Sequence, residues 1–169
     1  MTRRLTCFIF VLLMFAADLR AQSEAPDCDH ELTGQKRLDL IVRLRIDYRD
    51  ADDDSIRQSH DLNCAMTQWQ HRDGAIGPAV SDTFLSMLQS NPQAFFDFMA
   101  THRPAFEEWL AKINTLSFVW YLPPPSPLDR KRTELISNLS EAKITGPTQQ
   151  NMRDQLVRRL RAVTPRQVD

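Results

Sequence analysis

Cys28, His30, His60 and Cys64 are the residues whose types and spacing come nearest to chemistry. Two thiols and two imidazoles are a ligand set for tetrahedral zinc. His60 lies four residues before Cys64, so a helix would place both on one face. His30 follows Cys28 with one residue between them, tighter than the usual gap between zinc ligands. The simpler reading is a disulfide. Of the 3 cysteines, Cys7 belongs to a leader-like segment, which leaves one pair. In an exported chain such a pair most simply closes on itself. A Cys28–Cys64 disulfide is therefore the first expectation, and a metal site of Cys28, His30, His60 and Cys64 the alternative.

A second metal pattern competes with a plainer explanation. Asp50, Asp52 and Asp54 take positions one, three and five of an EF-type calcium loop. Ser55 then stands where that loop needs Gly, and Asp61 where it needs Glu. Carboxylates favoured at a helix start explain the same run without calcium.

Other chemistry finds little support. The chain has 4 Gly and contains no GxGxxG, GxxxxGK[ST], GxSxG or HExxH motif. His71 and His102 fall at expected helix ends, where imidazoles meet terminal carbonyls. No catalytic residue follows from the pattern, no cofactor is expected, and the balance leans away from an enzyme.

Charge is more informative. Residues 22–128 hold 16 acids and 9 bases, whereas residues 129–169 hold 5 acids and 9 bases. The positive end gathers in Arg153, Arg158, Arg159 and Arg161. A basic amphipathic helix suits an acidic protein partner or peripheral contact with an anionic membrane, and the plainer reading packs its apolar side on the body with the arginines solvated or facing the acidic half. The whole chain carries a net charge of −1, which argues against nucleic acid. A second candidate surface is the apolar run of Phe118, Trp120 and Tyr121, which would otherwise fill core.

The elements that must position these residues read as successive helices. Arg3 and Arg4 precede an uncharged run from Leu5 to Ala17, the form of a signal peptide spanning 1–21, with cleavage after 21 or 23. That run is too short to span a bilayer. Residues 22–34 should be an extended lead-in, 35–164 the helical domain and 165–169 a polar tail.

Residues 35–49 are ambiguous. Leu38, Leu40, Val42, Leu44, Ile46 and Tyr48 alternate as in a strand, while Leu40, Ile41, Leu44 and Tyr48 form a helical stripe. The helix is preferred because Ile41 breaks the alternation and no partner strand follows. Further stripes are Leu62, Ala65, Met66 and Trp69, then Val80, Phe84, Leu85 and Leu88, then Phe95, Phe96 and Met99. Phe106, Trp109, Leu110 and Ile113 follow, then Leu128, Leu135, Ile136 and Leu139, and finally Met152, Leu156, Leu160 and Val163. Pro78, Pro92, Pro104, Pro127 and Pro147 mark helix starts.

The expected fold is all-α, a single domain of six to seven short antiparallel helices, with a helical-repeat-like pattern. The expected protein is periplasmic or secreted, non-enzymatic, and acts by binding another macromolecule. An exported enzyme or a metal-binding periplasmic protein is the alternative.

Overall fold

The computed structural model describes residues 28, 34–50, 55–120 and 127–167. The expected signal segment, His30, Tyr121 and Asp52 and Asp54 of the calcium pattern lie outside them. Seven helices follow in order among the described residues: α1 (Gly34–Asp50), α2 (Ser55–Gln70), α3 (Ile76–Ser90), α4 (Pro92–Thr101), α5 (Arg103–Ser117), α6 (Pro127–Glu141) and α7 (Pro147–Ala162). The chain is an all-α single domain. No helix among the described residues is long and apolar enough to cross a membrane.

The ambiguous segment is helical. α1 buries Leu40, Ile41, Leu44 and Tyr48, the 3.6-residue stripe. Val42 and Ile46, which the strand alternation would bury, are 55% and 53% exposed.

α3 is the hub, packed against α1, α2, α4 and α5. It is buried nearly all round, through Ile76, Val80, Phe84, Leu85, Met87 and Leu88. It begins two residues before Pro78 because the Asp73 carboxylate accepts the Ile76 amide at 3.3 Å. Asn91 ends α3 and starts α4: its side chain accepts the Ala94 amide at 3.1 Å. α7 returns to pack on α4, α5 and α6, which closes the body on itself.

Aromatic side chains fill the centre. Trp109 on α5 meets Phe84 at 5.8 Å and Phe95 at 5.7 Å between ring centres, both edge-on. Its indole N–H donates to Ser81 Oγ at 2.8 Å, and that oxygen lies 2.6 Å from Ser117 Oγ. The polar atoms of this buried patch thus satisfy one another.

Beyond α5, Phe118 is fully buried, so of the two readings of its run it takes the core one and is no part of an exposed surface. Val119–Trp120 form β1, which pairs in parallel with β2, Arg166–Gln167. Residues expected in a polar tail are thereby held against the end of α5. The physical reason is backbone pairing across distant residues, which side-chain periodicity does not encode.

Candidate functional site

An open groove of about 300 Å³ lies along α6 and α7, lined by Ser140, Arg153, Asp154, Val157, Arg158 and Arg161. The helix repeat explains the grouping. Arg153, Val157 and Arg161 are spaced by four residues along α7, and so are Asp154 and Arg158, which places both rows on one face. The opposite stripe is spent on the core: Met152, Leu156 and Leu160 are buried. Val157 is nearly buried and gives the groove its apolar floor.

The four arginines of α7 are not equivalent. Arg153 pairs with Asp154 at 2.8 Å. Arg158 and Arg161 are exposed and have no ion-pair partner among the described residues. Arg159 was expected on the same surface but turns to the body, where its guanidinium donates to the Ala111 carbonyl at 2.9 Å. It joins α7 to α5 and is a structural contact. On α6, Lys131 is already engaged with Asp82 of α3 at 3.2 Å, and Arg132 with Asp129 at 3.2 Å. Arg158 and Arg161 thus bring unmatched positive charge to the groove.

The other candidate cluster is on the middle turns of α2. Cys28 and Cys64 form a disulfide with a Cα–Cα distance of 4.9 Å, within the ordinary range. The bond ties the segment before α1 to a buried position on α2. His60 lies against it, with Nε2 3.6 Å from Cys28 Sγ and Nδ1 3.8 Å from Cys64 Sγ. Asp61, 1% exposed, has a carboxylate oxygen 3.5 Å from His60 Nδ1. The structure thus gathers three of the four candidate metal ligands, Cys28, His60 and Cys64.

Asp61 also rules on the calcium pattern. It lies inside α2, which starts at Ser55, and it is buried. Ser55 to Asp61, positions six to twelve, are helical here, whereas such a loop turns sharply at position six and ligates through the backbone carbonyl at seven. Residues 55–61 are therefore not the second half of a calcium loop.

Asp61 acts on Tyr48 of α1 as well. The Tyr48 hydroxyl is buried without a hydrogen-bond partner among the described residues. Burial first, and the Asp61 charge second, hold its phenol well above the ordinary value of 10.0. The unfolded chain releases that proton near the ordinary value, so stability is full below about pH 10 and falls as the pH rises above it. Phenolate absorbance of the chain's 2 tyrosines checks this. Tyr48 should remain protonated until alkaline unfolding, and one transition near pH 10 for both residues would contradict the burial.

One buried cation carries no motif in the sequence. Arg37 of α1 is buried and donates to the Gln68 and His71 carbonyls at 3.1 and 2.6 Å, closing the end of α2. Its helical phase beside Leu40 and Ile41 was the available signal. His71 and His102 behave as expected, with Nδ1 3.0 Å from the Thr67 and Phe98 carbonyls respectively. The chain matches no known family model, no curated protein and no solved structure.

Proposed function

We propose that this protein is an exported, non-enzymatic binding module whose α6–α7 groove holds an acidic segment of another protein. The observation that carries the reading is the convergence of Arg153, Arg158 and Arg161 on one cavity of about 300 Å³. Guanidinium groups bind carboxylates through paired, charge-assisted hydrogen bonds, and several on one face add up. Asp154 competes for Arg153, which leaves Arg158 and Arg161 as the principal donors.

The burial pattern of α7 favours a protein segment over a bilayer. An interfacial membrane helix needs an apolar face free to enter the lipid. Met152, Leu156 and Leu160 are committed to the core, so α7 has no such face. Export rests on the leader-like pattern of Arg3, Arg4 and the apolar run, and a disulfide is compatible with an oxidising compartment.

An oligo-glutamate peptide is the probe, with oligo-glutamine as the neutral control. The acidic peptide should bind, weaken as salt screens the charges, and lose at least ~10-fold in affinity on R158E/R161E reversal. The unfolding midpoint of that variant should hardly move, because exposed charges contribute about 1 kcal/mol or less. Equal binding of the peptide by parent and variant would overturn the proposal. Binding only to phosphatidylglycerol vesicles would overturn it in favour of membrane contact.

A further inference from the structure

We propose a second, independent site: in the reduced chain, Cys28 Sγ, Cys64 Sγ and His60 hold a zinc ion, and the disulfide is the metal-free oxidised form of the same centre.

The placement of His60 carries the argument. The imidazole stands beside both sulfurs, so reduction of the bond leaves two thiols and a ring nitrogen facing one another. Here a single nitrogen, His60 Nε2, lies 3.6 Å from Cys28 Sγ and 3.9 Å from Cys64 Sγ, and the three residues' ligand atoms fall within 4.8 Å of one another. Zinc bonds of ~2.3 Å to sulfur and ~2.0 Å to nitrogen, at tetrahedral angles, separate sulfur from nitrogen by roughly 3.5 Å. The imidazole is thus already at ligand distance. Two thiolates on one zinc ion lie roughly 3.7 Å apart by the same bond lengths. Only the sulfurs must part, and rotation of two short side chains is enough once the covalent bond is gone.

Three more features fit. His60 and Cys64 are one turn apart on α2, a rigid pair. Asp61 stands 3.5 Å from His60 Nδ1 and is buried, so it can orient the ring and leave Nε2 toward Cys28. The His60 side chain is 34% exposed, which gives an ion its way in. Water can fill the fourth zinc position, as it does in open zinc sites.

The chemistry balances with a dithiol as reductant. The dithiol gives two electrons and two protons, becomes a disulfide, and converts Cys28–Cys64 to two thiols. Zinc then replaces both thiol protons, which leave to solvent.

The test uses the full chain, reduced by a phosphine and freed of excess reductant without air. Zinc is titrated against a chromophoric chelator. One equivalent should bind the reduced chain and none the oxidised chain, and His60→Asn should weaken binding at least ~10-fold. Cobalt in place of zinc should give the intense visible bands of a tetrahedral thiolate site. If the reduced chain unfolds, zinc should restore its helical circular dichroism, and failure to do so overturns the proposal. So would a reduced chain that takes no zinc, equal binding by the oxidised chain, or a His60→Asn variant that binds as tightly as its parent.

Discussion

Trp109→Ala should lower the free energy of unfolding by about 3–5 kcal/mol, the range for deleting a large buried aromatic ring. Trp109 is fully buried and touches Phe84, Phe95 and Phe106. Those rings come from α3, α4 and α5, so their packing cannot relax around the hole without moving three helices. Truncation also removes the indole donor to Ser81. Trp109→Phe separates the two losses. It keeps most of the volume and should cost less than the alanine change by about 2 kcal/mol or more. Denaturant midpoints with unchanged slope are the measurement. An alanine effect below about 1 kcal/mol would show that these three helices do not share a core.

The disulfide is the other large term. Replacing Cys28 by Ser together with Cys64 by Ala should cost about 3–4 kcal/mol in the absence of metal. The bond closes a loop with a sequence separation of 36, and in the chain-entropy account its stabilisation comes from narrowing the unfolded ensemble. Alanine is the right replacement at position 64, because Cys64 is fully buried and a hydroxyl there would need a partner. The comparison is between oxidised parent and double variant, by urea unfolding with a chelator present. A shift below about 1 kcal/mol would show that the segment before α1 adds little constraint.

Much of this architecture is legible in the sequence, for a physical reason. Helix stripes repeat every 3.6 residues, and proline and glycine punctuate them, so the inward faces of α2 to α7 follow from local spacing. α1 is the hard case, because Leu40 and Leu44 fit both a helix and a strand. Ile41, buried at 2% exposure, decides for the helix. What sequence spacing does not carry is pairing at a distance. The run from Phe118 fits core or patch by its composition, and the pairing of Val119 with Arg166, which holds the next residues beside the C-terminal segment, has no local signature. Arg159 looks like its neighbours until the Ala111 carbonyl, a backbone atom with no side-chain signature, takes its donor. The candidate groove is half legible. Its arginines stand out as a charge cluster, whereas Ser140 and Val157 join them only through the packing of α6 on α7.

The burial of α3 on nearly every side has an evolutionary consequence. Along a helix with one solvent face, roughly half the positions can change freely while the fold survives. α3 has few such positions: Val80, Ser81, Thr83, Phe84, Leu85, Met87 and Leu88 are all enclosed, two of them hydroxyl side chains with buried partners. Each replacement there must keep volume and hydrogen bonding together, so acceptable exchanges are narrow. The exposed face of α6 away from the groove carries no such packing restriction and can drift until no resemblance is left. Descent will therefore be most visible in the fifteen residues of α3, and distant kin of this chain are best sought by that helix before any other.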